Sequence, residues 1–126
     1  MKRAYYFWIA AILALLFGLL MLLAPGQAAG AFGLPASSAT NTIFRVLGSV
    51  MLGVALVNFL VRNHTMGETL RAVLWGNLTI HGIGFLADCY SAAIGDIAWS
   101  GIGAGLVAHL IVLAGAAYYL WRPAAR

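Results

Sequence analysis

The sequence predicts an all-α integral membrane protein: a four-helix bundle running up, down, up and down, with both termini in the cytoplasm. Three observations predict it. Apolar residues make up 63% of the 126-residue chain and charged residues only 8%, against about 45–50% and about 25% in soluble domains. Four apolar segments, at about 4–23, 43–61, 72–94 and 97–121, each approach the roughly 20 residues that cross a bilayer core as a helix. Six of the seven Lys and Arg residues (Lys2, Arg3, Arg62, Arg71, Arg122 and Arg126) fall on one side of these segments, and Arg45 is alone on the other. Positive charge collects on the cytoplasmic side, so the chain is expected to be multi-pass with both termini on that side. The length suits one domain, residues 1–126.

The first segment, 4–23, follows Lys2 and Arg3 and opens with Tyr5, Tyr6 and Trp8. Small residues at 26–29 resemble a signal-peptidase site, but a signal-peptide apolar region runs only about 7–15 residues. A retained anchor helix is expected. Residues 24–41 read as a loop, broken by Pro25, Gly26, Gly30, Gly33 and Pro35, with Ser37, Ser38 and Thr40 as candidate caps. In the second segment Gly48, Ser49 and Gly53 allow the close approach on which helix association in lipid depends. The polar stretch 62–71 contains a glycosylation sequon, Asn63-His64-Thr65, which the expected cytoplasmic location makes irrelevant. Trp75 and Tyr90 bracket the third segment, Gly95 and Asp96 form a turn, and the fourth ends at Arg122 and Pro123. Short connections between such helices imply antiparallel neighbours.

The third segment carries the chemistry. Asn77, His81 and Asp88 are four and seven residues apart, so they share one helical stripe. His109 lies in the next segment, with Gly101 and Gly105 at four-residue steps. His81 precedes Gly95 by fourteen residues and His109 follows it by fourteen. Both rings are therefore expected at one depth, about 21 Å from the outer end at about 1.5 Å per residue. The same mirror sets Phe85 opposite Gly105. Asp88, about 10 Å inward, is expected to pair with Arg45, the one basic residue on that side, with Asp96 as the competing partner for Arg45.

Two histidines at one depth are consistent with three roles. A neutral imidazole can join helices by a hydrogen bond worth about 0.6 kcal/mol on average. With Asn77 and Asp88 the pair can relay a proton or hold a small ligand, since ionisable groups inside a membrane are often functional. The pair can also ligate a metal or a haem iron, given a slot at the glycines from Gly101 to Gly105. That GIGAG run follows no strand, which excludes a nucleotide loop. Cys89 is the only cysteine, which rules out an intrachain disulfide and a CxxC motif. Ser49 and Ser100 have no base at a useful spacing, and Glu68 is the only glutamate. A nucleophilic or paired-carboxylate active site is not expected.

The pattern Phe32-Gly33-Leu34-Pro35, followed by Arg45-x-x-Gly48-x-x-x-Leu52-Gly53-x-Ala55, resembles small bacterial four-helix membrane proteins of the DoxX-like group. The resemblance covers the first half of the chain and implies a helical bundle in the bacterial inner membrane. His81 and His109 are not part of it and stand on their own geometry.

Three functions fit these readings. The leading one is a non-catalytic bundle that works by self-association or as an accessory subunit of a membrane complex, with helix packing at Gly48, Gly53, Gly101 and Gly105. The others are a haem- or metal-binding redox protein using His81 and His109, and a small-molecule or lipid carrier with a cavity lined by Asn77, His81, Asp88 and His109. The net charge of +4 sits at segment ends, where lipid headgroups and not nucleic acid are its expected partners.

Overall fold

Every element in the computed structural model is a helix: α1 (Arg3–Leu23), α2 (Pro25–Ala31), α3 (Ser38–Val61), α4 (Glu68–Ala93) and α5 (Trp99–Trp121). The structure describes residues 3–122; Lys2, Pro123 and Arg126, which enter the charge and helix-end expectations, lie outside the described residues. Three helices, α1, α3 and α5, are both long and apolar enough to cross a membrane. At 26 residues, α4 spans about 39 Å and is long enough, but Asn77, His81 and Asp88, with Glu68 and Arg71 at its start, lower its hydropathy. Its outward side chains Ile80, Ile83, Leu86 and Tyr90 are nonetheless apolar or aromatic and exposed.

The expected loop 24–41 contains a helix. Pro25 occupies its first turn, where a missing N–H and a fixed φ cost nothing, and the alanines that follow favour helix. The glycines read as breakers act only at its end, where Gly33 adopts φ +74°. Pro25, Ala28 and Ala29 form its buried face.

Helices α3 and α4 also begin earlier than expected. Ser37 caps α3 by accepting a hydrogen bond from the Thr40 backbone N–H at 3.0 Å, which draws residues 38–42 into the helix. For α4, extended Gly67 precedes Glu68 in the first turn, where a negative charge complements the helix dipole. Gly95, at φ +87°, makes the reversal after α4 in a left-handed conformation that suits glycine.

Two antiparallel pairs organise these helices. Along α1 and α3, the Arg3 guanidinium donates to the His64 carbonyl at 2.6 Å, Trp8 meets Phe59 edge-on at 5.2 Å, and Gly18 faces Gly48. A Cβ on Gly48 would sit 2.8 Å from both the Gly18 carbonyl oxygen and the Leu22 nitrogen, so the two backbones touch there. Gly18 was not among the expected packing residues; Gly48 was. Along α4 and α5, Trp75 meets Trp121 at 5.8 Å and His81 meets His109.

The remaining expected packing glycines divide. Gly101 lies against the backbone of Ala31 and Phe32 at the end of α2, with a Cβ there 3.0 Å from the Ala31 oxygen. Gly53 has nothing among the described residues within 4 Å of its Cβ position. A Cβ on Gly105 would lie 3.5 Å from the Asp88 carboxylate, so Gly105 faces that group and not the Phe85 ring. Between α4 and α5 the ring of His109 is accommodated at Gly84, whose Cβ would fall 2.7 Å from it.

The two pairs close tightly at one end. Tyr6, Phe7, Leu70, Leu74, Val112, Ala116, Tyr119 and Leu120 form a buried cluster there, with Tyr6 pressed onto Gly115. At the other end Ala28, Ala29 and Phe44 pack with Met21, Phe32 and Leu34. Between the two clusters the helices enclose a cavity.

Candidate functional site

That cavity, about 370 Å³ in volume, is walled by apolar side chains of α1 and α3, including Leu13, Phe17, Phe44 and Met51. Phe32, Leu34 and Ile97 from the connecting segments also line it, and on one side it meets His81, Asp88 and His109. Ile43 and Leu47, which border it on α3, are 58% and 47% exposed, so it opens outward there. A volume of 300–1,000 Å³ with mostly apolar walls and a few convergent polar groups is the usual form of a small-molecule site.

The polar groups form a line. His81 Nδ1 lies 2.9 Å from His109 Nδ1, a hydrogen bond in which one ring donates and the other accepts. On the far side of the same ring, His109 Nε2 lies 3.6 Å from an Asp88 carboxylate oxygen. The rings are tilted by 60° with centroids 5.1 Å apart. His81 is buried at 8% exposure, whereas Asp88 and His109 remain partly open. The shared depth expected of the two histidines is thus a direct contact.

The expected Arg45–Asp88 ion pair is not formed. Arg45 is exposed, and the ion-pair partner of Asp88 among the described residues is His109. The physical reason is helix rotation: Phe44 and Gly48 are the buried positions in this part of α3, which turns Arg45 outward. An exposed guanidinium keeps its hydration, whereas a half-buried carboxylate gains more from a neighbour.

Asn77 shares a stripe with His81 but belongs to a separate network. Its amide nitrogen donates to the Asn58 side-chain oxygen at 2.7 Å and to the Tyr6 hydroxyl at 3.1 Å. The Asn58 amide nitrogen returns a bond to Asn77 at 3.3 Å and donates to the Val54 carbonyl at 2.9 Å. All three side chains are almost wholly buried. Asn58 and Tyr6 were missed as site residues; an amide in the otherwise apolar second half of α3 was the available signal. The network joins α1, α3 and α4 beside the large core cluster and does not line the cavity.

This arrangement does not fit haem or a chelated metal. A metal held between two imidazole nitrogens at about 2.0–2.1 Å from each would part them by about 4 Å when they lie on opposite sides. The Nδ1 atoms are 2.9 Å apart and hydrogen-bonded to each other. His109 directs its two nitrogens to different partners, and among the described residues no three His, Cys, Asp or Glu side chains converge as a ligand set. The glycine slot considered for a macrocycle is taken by Ala31 and Phe32 at Gly101 and by Asp88 at Gly105. What the line of groups can do is exchange protons and hydrogen-bond a molecule in the cavity.

In comparisons with known proteins, no family model, curated sequence or solved structure matches the chain, so the DoxX-like resemblance rests on its short motifs alone.

Proposed function

We propose that the chain is a multi-pass protein of the bacterial inner membrane that holds a small lipophilic molecule between its helix pairs. In this reading α1, α3, α4 and α5 cross the bilayer up, down, up and down, with both termini in the cytoplasm. The antiparallel contacts within each pair support it, as do the apolar outward faces and the clustering of basic residues on one side. The observation that carries the function is the cavity itself: apolar walls ending at a hydrogen-bonded imidazole pair and one carboxylate. Purification in lipid nanodiscs followed by solvent extraction and mass spectrometry tests it. One small molecule per chain is expected from the natural protein and none from Ala108→Trp, which fills the cavity; equal yields from both would sink the reading.

A second reading, self-association or service as an accessory subunit, draws on a different face. Gly53 and Gly76 are exposed with nothing near their Cβ positions. They line a shallow groove between α3 and α4 with Val50, Val57, Val73 and Ile80. Small residues on a lipid-facing surface suit close helix contact. The mass of the detergent-solubilised protein decides it, and a strict monomer that captures no partner would count against it.

A further inference from the structure

From the geometry of the Asp88–His109–His81 line, we infer that the cavity selects amphiphiles whose polar head is a hydrogen-bond donor, such as the O–H of a long-chain alcohol or carboxylic acid. This inference rests on the cavity-binding reading and names its ligand class. An ionised carboxylate only accepts hydrogen bonds, and a neutral imidazole has one donor and one acceptor nitrogen. With an Asp88 carboxylate oxygen 3.6 Å from His109 Nε2, the tautomer that turns an N–H toward that negative charge is the favoured one, so we assign the His109 proton to Nε2 and the accepting lone pair to Nδ1. His81 must then donate from Nδ1 across the 2.9 Å contact. This leaves His81 Nε2 as a lone-pair acceptor in a residue that lines the cavity. The donors are used up within the line, so what it offers a ligand is acceptors: this nitrogen and the Asp88 carboxylate.

A head group with only acceptors would face that nitrogen without a proton between them, which costs affinity in an apolar site. An alcohol forms one hydrogen bond and stops there. An acidic head can go further. Its proton passes to His81 Nε2, and the His81 Nδ1 proton passes to His109 Nδ1. The products are a carboxylate accepting from His81 and an imidazolium beside Asp88, with every proton accounted for. The amides of Asn58 and Asn77 bond to each other, to Tyr6 and to Val54 and do not relay protons, so the exchange remains between ligand and line.

The test uses the full chain in phosphatidylcholine nanodiscs and four probes of one chain length: dodecanol, dodecanoic acid, dodecyl methyl ether and dodecylamine. Dodecanol and dodecanoic acid are expected to bind about fivefold more tightly than the ether, the worth of one net hydrogen bond. That preference should vanish in His81→Leu while apolar binding persists. Imidazole nitrogen NMR shifts separate the two sources: dodecanoic acid should produce a protonated His109, and dodecanol should leave both rings neutral. Dodecylamine, also a donor, is expected to bind more tightly than the ether. Ether binding equal to that of the alcohol or the amine in the natural protein would overturn the inference and leave the cavity reading intact. If no probe binds, or if Ala108→Trp binds all four unchanged, the cavity reading fails and takes this one with it. The probe comparison itself needs no variant, so a misfolded His81→Leu would not blunt it.

Discussion

His81 and His109 join their Nδ1 atoms at 2.9 Å across the last helix pair, a contact between residues on either side of the Gly95 reversal. If the bond links α4 to α5, His81→Leu and His109→Leu should not be independent. Either single change removes the whole bond and strands the other ring, whereas the double change strands nothing. A double-mutant cycle on unfolding in mixed micelles should return a coupling of about 0.6–1.7 kcal/mol, the range for hydrogen bonds between membrane helices. Additive losses would mean the rings do not interact.

This contact was legible because it depends on distance along the helix axis. A turn at Gly95 and a constant rise per residue place the two rings at one level without knowledge of how the helices are rotated. The expectations that failed required the rotation. Arg45 and Asp88 are also near one level, but Arg45 lies one residue past buried Phe44, so its side chain leaves the interface. Asn77 and His81 share a stripe, yet they face different neighbours because the cavity ends between them. Gly84, rather than Gly105, opens the space for a histidine ring, a distinction that depends on which way each helix is turned. The helix α2 was hidden by its prolines and glycines, which mark its ends rather than interrupt it.

The outward position of Arg45 makes a second cycle informative. Arg45→Gln and Asp88→Asn should act additively on thermal stability, within about 0.3–0.5 kcal/mol, as expected for sites without a shared partner. His109→Leu with Asp88→Asn should deviate from additivity, because these two groups approach within 3.6 Å. A coupling of Arg45 to Asp88 as strong as that of His109 would return the carboxylate to α3.

Two glycines five residues apart on α3, Gly48 and Gly53, differ sharply in what surrounds them. Gly48→Ala places a methyl group 2.8 Å from two backbone atoms of α1, and neither can swing aside as a flexible side chain would. The α1–α3 pair must separate, at a cost of about 1–3 kcal/mol. Gly53→Ala meets nothing within 4 Å and should be neutral or stabilise by about 0.4–1 kcal/mol through the unfolded chain. Unfolding midpoints in the same micelles compare the two, and equal losses would place the α1–α3 contact elsewhere.

The Asn58–Asn77 pair gives the last expectation, in which the double variant should be no less stable than one of its parents. In Asn58→Leu, Asn77 keeps its bond to Tyr6 but loses both bonds to Asn58. A buried polar group without a partner costs about 1–3 kcal/mol. Adding Asn77→Leu removes the stranded amide and supplies apolar volume beside Leu74, at the edge of the large core cluster, leaving only the Tyr6 hydroxyl short of a donor. Stability should therefore recover toward that of the natural protein, and Tyr6→Phe should then cost less in the Asn77→Leu background than in the natural one. The His81–His109 line does not share a bond with this network, so ligand binding should survive the double change. A further fall in stability on adding Asn77→Leu would show that the amides do more than satisfy each other.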